Sequence, residues 1–435
     1  MTPETRDLLA QLEKRRGDMP SASGSGTVSA REFCTLPALR RMEMIRSAAA
    51  QLGLVSPFDR IVEARRGAEV RIGGRWVRDF SSYDYLGLYR RPEVMTAMAR
   101  ATETWGASAG ASRLVGGEAA CHGELERQLA EFLGVEAALT FVSGHAANVA
   151  VIRSLVGPGD VVLSDALAHN SIYEGIRTSG ATHQPVPHSD WRWLGDWLCL
   201  NRSRYGRALI AIESLYSMDG DCPDLAQYVA LAREHDAWLM LDEAHGLGVL
   251  GATGRGLPEE QGIDPAGIDI RMGTLSKALA SCGGVIGGRA ELIDLLRHTA
   301  PGFVYSVGLP PPMAGAASAA LAVLEREPDR VQKLRALSRR FLEVARSAGL
   351  DYGPAQGYAV IPVMVGSSHR AAWLSGKLLD EGINVMPVMA PAVPDRAARL
   401  RFFVTVNHDE GMIREAVAAT AHWLPHAPKF AGQVR

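Results

Sequence analysis

Residues 238–284, "WLMLDEAHGLGVLGATGRGLPEEQGIDPAGIDIRMGTLSKALASCGG", decide how this chain reads. They open on "WLMLDEAHG" (238–246), an apolar run that ends at Asp242 and His245. They continue through "DIRMGTLS" (269–276), a second such run that stops just before Lys277. Short, continuously apolar runs bounded by glycine and acidic residues read as strands covered on both faces. In a parallel sheet the C-terminal ends of the strands face one crevice, so an acid, an imidazole and an amine converge there. The small residues around Lys277 leave two readings for its amine, a surface lysine on a short loop or a nucleophile that forms a Schiff base.

The pattern extends outward on both sides. "AALTFVSG" (137–144) leads into a helical "HAANVAVIRSLV", "DVVLSD" (160–165) into "NSIYEGIRTSG", and "RALIAIESL" (207–215) into "DLAQYVALAREHD". "GGVIGG" (283–288) completes the series. Strand–helix alternation of this kind predicts an α/β architecture with a mostly parallel sheet between helix layers. Upstream, "RRGAEVRIGGRWVRDFSSYDYLGL" (65–88) predicts strands with a turn at Gly73-Gly74, followed by a helix near 92–105. The proline-rich "PGFVYSVGLPPP" (301–312) marks a boundary, and strand patterns at "YAVIPVMVG" and "RLRFFVTV" predict a smaller C-terminal α/β domain. The expected organisation is an N-terminal arm and linker (1–35), an N-terminal segment (36–90), a large domain (91–305) and a small domain (306–435). Within the arm, 1–18 reads as a short amphipathic helix and 21–30 as a flexible linker.

Composition excludes several function classes. The chain has 435 residues, 47% hydrophobic and 22% charged, with a net charge of −2. That balance gives no electrostatic case for nucleic acid or an anionic membrane. No apolar run is long enough to span a bilayer, and the N-terminus is too charged for a signal peptide. The five cysteines are odd in number and show no CxxC pairing, which favours reduced thiols in the cytoplasm. No HExxH or Cys/His cluster occurs, so no catalytic metal is expected. "GLGVLG" (246–251) matches G-x-G-x-x-G, but no long helix follows to receive a pyrophosphate. "DEAH" (242–245) lacks the phosphate loop that a nucleotide would need.

An acid, an amine and an imidazole in one crevice suit pyridoxal phosphate. A carboxylate keeps the pyridine nitrogen protonated, and the lysine holds the aldehyde as an imine. Its phosphate needs free backbone N–H groups, which "SGH" (143–145) offers between a strand and a helix. Thr274 and Ser276 add hydroxyls beside the lysine. Each piece also has a plain structural reading: Ser143 as a helix cap, Asp242 as a paired carboxylate.

The ordered set resembles the α-oxoamine synthase family of fold-type I pyridoxal phosphate enzymes, from about Phe80 to His422. The motifs carrying the resemblance are "SSYDYLGL" (81–88), "SGHAAN" (143–148), "DALAHNSI" (165–172), "YSMDGD" (216–221), "LDEAHGLGVLGATGRG" (241–256), "GTLSKALASCGG" (273–284), "YSVGLPP" (305–311) and "ARLRFF" (398–403). The resemblance implies that Lys277 is the Schiff-base lysine, Asp242 the partner of the pyridine nitrogen, and His245 the histidine near the ring hydroxyl. It implies that His169 stacks over the ring and that Ser217 lies near the same hydroxyl. Ser143, Gly144 and His145 would hold the phosphate, assisted by Thr274 and Ser276, with Ser306 reaching a phosphate across a homodimer interface. Arg401 would receive the amino acid's carboxylate, and Tyr83 would line the substrate side.

The implied reaction is a decarboxylative condensation of a small amino acid with an acyl thioester, giving an α-amino ketone, carbon dioxide and a free thiol. Some positions depart from common family patterns. His145 stands where tyrosine or phenylalanine is frequent, Tyr83 where biotin- and haem-pathway members have asparagine, Met389 where serine palmitoyltransferases often have arginine, and Gly308 where serine is usual. The overall pattern looks most like the polyketide-associated subgroup, which implies acyl carrier protein as donor, with coenzyme A as the competing choice. The alternatives are serine palmitoyltransferase or 8-amino-7-oxononanoate synthase proper, an aminotransferase on the same fold, and a non-catalytic partner subunit.

Overall fold

The structure, a computed structural model, describes residues 31–51 and 56–428. The helix expected at 1–18 and the linker at 21–30 lie outside the described residues.

A seven-stranded sheet forms the centre. Its strands are β4 (Ala137–Phe141), β5 (Val161–Asp165), β6 (Thr182–Val186), β7 (Ala208–Glu213), β8 (Trp238–Asp242), β9 (Ile270–Thr274) and β10 (Gly284–Gly288), in the order β4-β10-β9-β8-β7-β5-β6. Strands β5 to β9 pair in parallel, and β10 alone runs antiparallel to both of its neighbours. Every residue of β5, β7 and β9 is buried. Along β7 the side chains alternate between two apolar clusters: Ala208, Ile210 and Ile212 pack on one face, Leu209 and Ala211 on the other. A strand covered by helices on both faces needs apolar residues at every position, which is why these strands lack polar alternation.

Sequence pattern misses one strand of the central sheet, and the short β12 (Ile383–Asn384) and β13 (Met386–Val388) outside it. β6 reads "THQPV", polar and containing Pro185. It tolerates both because it lies at the sheet edge, where one side of the ladder needs no partner.

Two smaller sheets pack together beside the large one. β1 (Ala64–Arg66), β2 (Glu69–Ile72) and β3 (Arg75–Asp79) form a meander joined by the parallel pair β3 with β12 (Ile383–Asn384). β11 (Val360–Met364), β14 (Arg399–Phe403) and β13 (Met386–Val388) form an antiparallel sheet with β14 in the middle. Phe80 joins the two: its N–H donates to the Asn384 carbonyl at 2.8 Å, and its own carbonyl accepts from the Phe403 N–H at 2.8 Å. The strands of the 36–90 segment are therefore built into the C-terminal sheets. Among the described residues, no helix is long and apolar enough to cross a membrane.

The loop 216–221 bridges the large and small sheets. Arg399 of β14 donates to the Met218 carbonyl at 2.9 Å and pairs with Asp219. Gln356 donates its backbone N–H to the Gly220 carbonyl at 3.0 Å. On the large-sheet side His188 meets Asp165 through Nδ1 at 2.9 Å and Asp221 through Nε2 at 3.0 Å. Burial alone would lower the His188 pKa, but the hydrogen bonds to Asp165 and Asp221 outweigh it and raise it from 6.5 to about 10. Both ring nitrogens then carry protons, as two facing carboxylates require.

A histidine raised in this way stabilises the fold fully below its unfolded pKa, and that contribution fades as pH rises toward the folded value. His188→Gln is thus expected to lower unfolding free energy most at about pH 6, with the gap to the parent narrowing toward about pH 10. Urea denaturation of both proteins across that range checks it. A gap that widens with pH contradicts the charged clamp.

Candidate active site

The ends of β7, β8 and β9 deliver Glu213, Asp242 and Thr274 to one edge of the sheet. Pairing in register sets Glu213 beside Asp242. Lys277 follows β9 in a tight turn, where the Ser281 N–H reaches back to the Leu275 carbonyl at 3.0 Å. The glycines of "GLGVLG" serve this turn. Gly248 has φ +75°, and a Cβ there would lie 2.5 Å from the Ala278 Cβ, so only glycine lets the two loops close on each other. The helix after them, Leu257–Gln261, has five residues and belongs to this packing.

Asp242 is buried and takes two hydrogen bonds, from Asn148 Nδ2 at 2.7 Å and from the Ala244 N–H at 2.8 Å. Asn148 also donates to Ser171 Oγ at 2.9 Å, and Ser171 Oγ lies 2.7 Å from His169 Nδ1. His169 caps the helix Asn170–Ser179, its Nδ1 accepting from the Ser171 N–H at 3.2 Å while its own N–H donates to Glu213 at 2.6 Å. Burial and neighbouring Asp242 push the Glu213 carboxyl well above the usual range.

His245 sits on the other side of the crevice. Burial, then Lys277, Arg401 and His169, hold its pKa well below the ordinary value, so the ring is neutral. Its Nδ1 lies 2.8 Å from the hydroxyl of fully buried Tyr85. A buried phenol keeps its proton and must donate it, so His245 Nδ1 accepts and Nε2 carries the ring proton.

Lys277 points toward the ring of Tyr83, with Nζ 5.4 Å from its centroid. Burial is the largest influence on its amine and lowers the pKa from 10.5 to about 8, against the opposing pull of Asp242 and Glu213. Arg401 adds to the lowering. Arg401 reaches the crevice from β14, with its guanidinium 4.7 Å from the Phe403 ring and one N–H on the Ser217 carbonyl at 3.0 Å. The small sheets thus supply Tyr83 and Arg401, and the large sheet supplies the acid, the histidines and the amine.

Gly144 and His145 begin the helix Gly144–Leu155, capped by Ser143, whose Oγ accepts from the Ala146 N–H at 3.0 Å. The first N–H groups of a helix have no intrahelical partner. A Cβ on Gly144 would lie 2.9 Å from Met272 Cε and 3.3 Å from Thr274 Oγ1, so glycine is what lets this helix start against the end of β9. Thr274 and Ser276 each place a hydroxyl on the Gly283 carbonyl, at 3.0 and 3.3 Å, which ties both to the same corner.

Two expected residues stand differently. Ser217 meets Arg401 through its backbone carbonyl. Ser306 donates to its neighbour Val307 at 3.3 Å, between Tyr305 (86% exposed) and Val307 (50% exposed). Among the described residues, no hydrogen bond joins Ser306 to the other site residues. Conversely, Tyr85, Asn148, Ser171 and Glu213 belong to the site without having been singled out. All four lie inside or beside the quoted motifs; Asn148 and Glu213 also stand out as polar residues in otherwise apolar elements, whereas Tyr85 and Ser171 lie in polar stretches and carry no such signal.

The site's likeness to known proteins agrees with this geometry. A family model described as aminotransferase class I and II matches residues 77–419. The 8-amino-7-oxononanoate synthase of Methylobacterium sp. (strain 4-46) is 44% identical over 347 residues, 80% of this chain and 87% of its own length. That of Symbiobacterium thermophilum is 40% identical over 371 residues, 85% of this chain and 94% of its own. The solved serine palmitoyltransferase of Sphingomonas wittichii has a TM-score of 0.86 at 29% identity, covering 91% of this chain and 100% of that one.

The chain belongs to the α-oxoamine synthase family.

This α-oxoamine synthase is a pyridoxal phosphate-dependent acyltransferase that condenses an amino acid with an acyl thioester and releases carbon dioxide. The residues present fit that cofactor. They comprise a partly buried amine, an acid with two donors already on it, two neutral histidines, and free N–H groups at a helix start where a side chain has no room.

A lowered pKa makes the neutral, nucleophilic form of Lys277 accumulate above about pH 8 instead of above 10.5. In cofactor-free protein, acylation of Lys277 measured by peptide mass spectrometry is expected to rise through about pH 8, while the lysine of a short unstructured peptide follows about two units higher. Coincident profiles contradict this.

Proposed function

We propose that Lys277 is the amine that carries the cofactor and then moves the substrate proton. What carries this reading is the placement of one neutralisable amine in the crevice shared by Asp242, His169 and Arg401. Arg401 is proposed to bind the amino acid's carboxylate, a role suited to the guanidinium N–H groups not held by Ser217. Lys277, displaced by the incoming amine, takes the Cα proton through Nζ, and an amine with pKa about 8 is poised for this at neutral pH. Pyridoxal phosphate, when bound, supplies the electron sink for the bond that breaks. Asp242 would pair with the cofactor's ring nitrogen, His245 and Ser217 would lie near its ring hydroxyl, and His169 would cover the ring. Ser143, Gly144, His145, Thr274 and Ser276 would hold the phosphate. Tyr83, next to Lys277, lines the substrate side.

The proposal extends to a homodimer in which Ser306 serves the partner's site. Its exposed flanks at Tyr305 and Val307, and its separation from its own subunit's site, support this. The substrate is proposed to be a small amino acid, and the acyl donor a thioester on acyl carrier protein, with coenzyme A as the competing carrier. A second reading is 8-amino-7-oxononanoate synthesis, favoured by the relatives of that name. That product carries an amine on C8 beside a ketone on C7, which alanine and a seven-carbon dicarboxylic half-thioester would yield.

The deciding experiment supplies the holoenzyme with glycine, alanine or serine and with acyl carrier protein or coenzyme A thioesters. Thiol release, carbon dioxide and product mass are measured together. Condensation releases one thiol and one carbon dioxide per product; amine exchange without thiol release would sink the proposal. Lys277→Ala is expected to slow solvent exchange of the amino acid's Cα proton by roughly 10²–10⁴-fold. Arg401→Ala is expected to raise the amino acid KM by about 10–100-fold, as loss of a charge-assisted pair implies. Parent-like exchange in the first variant, or an unchanged KM in the second, removes the assigned role.

A further inference from the structure

Asn148 is the least expected polar group in the site. It lies one turn into the helix Gly144–Leu155, 1% exposed, among apolar neighbours. The helix Asn170–Ser179 comes close because Gly175 lacks a side chain; a Cβ there would lie 3.0 Å from Ile152 Cβ and 3.2 Å from the Asn148 carbonyl. That approach brings Ser171, fully buried, within reach of the amide.

The hydrogen-bond directions are fixed by chemistry. One Asn148 Nδ2 proton goes to Asp242 and the other to Ser171 Oγ. Ser171 Oγ, already accepting, has its own proton left for His169 Nδ1, which also accepts from the Ser171 N–H. A backbone N–H can only donate, so His169 Nδ1 must present a lone pair. The ring proton then resides on Nε2. Meanwhile Asn148 Oδ1 is buried with no partner. Leaving such an acceptor unmade costs stability, and a hydrogen bond between the two helices alone would not need the amide's second proton on Asp242.

We propose that Asn148 and Ser171 are positioning residues that join Asp242 and His169 in one relay, fixing the Asp242 carboxyl in place and the His169 proton on Nε2. The inference rests on the roles proposed above for Asp242 and His169. It makes His169 a hydrogen-bond donor toward the cofactor and substrate side, and leaves proton abstraction to Lys277.

Two variants separate the halves of the relay. Ser171→Ala removes the hydroxyl between His169 and Asn148 but leaves the backbone N–H on Nδ1 and Asn148 on Asp242. Asn148→Leu, close in shape, removes both links. In ¹⁵N-histidine-labelled holoenzyme, with the His169 signals assigned by their loss in His169→Asn, the parent is expected to show protonated Nε2 and bare Nδ1. Ser171→Ala is expected to keep that tautomer, which the backbone N–H of residue 171 still holds, but to shift the Nδ1 resonance toward that of an unbonded nitrogen and to lower kcat roughly tenfold, with the pyridoxal phosphate Kd within about twofold of the parent. Asn148→Leu is expected to add a tenfold or greater rise in that Kd, measured by equilibrium dialysis. A protonated Nδ1 in the parent overturns the relay. So does a folded Ser171→Ala protein with parental Nδ1 resonance and kcat; should Asn148→Leu not fold, that variant decides alone. If the parent itself binds no pyridoxal phosphate, the functional reading fails instead.

Discussion

Parallel pairing of Trp238–Asp242 with Ile270–Thr274 is the constraint on which the site depends. It aligns Asp242 with Met272, so the chain leaving β9 turns back with Lys277 at the level of the acid one strand away. The neighbouring pair, Glu213 with Asp242, adds a second carboxyl at the same height. Neither an amine nor two carboxyls would gather spontaneously in a partly dry crevice, because desolvation opposes each charge. The register holds them there, and the apolar ladders beneath provide the free energy. Under the crevice the buried Arg271–Glu243 pair, at 2.9 Å, links β9 to the loop after β8 and keeps the two strand ends from sliding.

The amine illustrates how the competing forces settle. Burial drives its pKa down, and two carboxyls pull it up. Burial by itself would lower it further, and the acids by themselves would hold it charged. The balance falls near neutrality, where an amine can be both nucleophile and proton acceptor. The histidines are lowered as well. Desolvation and nearby cations keep both His169 and His245 neutral, and each is given a single tautomer by a neighbour on Nδ1. They are donors by construction.

Much of this was legible in the residues. The apolar runs ending at Asp242 and before Lys277 predicted adjacent parallel strands, because double-faced burial leaves an unmistakable stretch of apolar residues. The polar edge strand Thr182–Val186 was not legible, since an edge needs little burial and so writes no pattern. The convergence of ionisable groups such as Asp242 and Arg401 on one crevice could be read from chemistry and resemblance. Asn148 and Ser171 could not, because neutral residues acquire meaning only when a helix crossing, permitted here by Gly175, brings them to the acid and the imidazole. Ser217 adds a backbone contact that its motif did not announce, its carbonyl accepting from Arg401.

The arginine is the part of the site least controlled by the central sheet. It stands on β14, between β11 and β13, and among the described residues its hydrogen bonds toward the large sheet go to the loop 216–221. That loop is gripped from both sides, by Arg399 and Gln356 on the small-sheet side and by charged His188 on the other. The His188 clamp bears on Asp221, and Tyr216 closes the loop by donating its N–H to the Asp221 carbonyl at 2.9 Å. The position of Arg401 relative to the large-sheet residues is consequently tied to ion pairs lying outside the crevice. If Arg401 and Lys277 have the roles proposed above, the charged clamp bears on the spacing between them as well as on the stability of the fold.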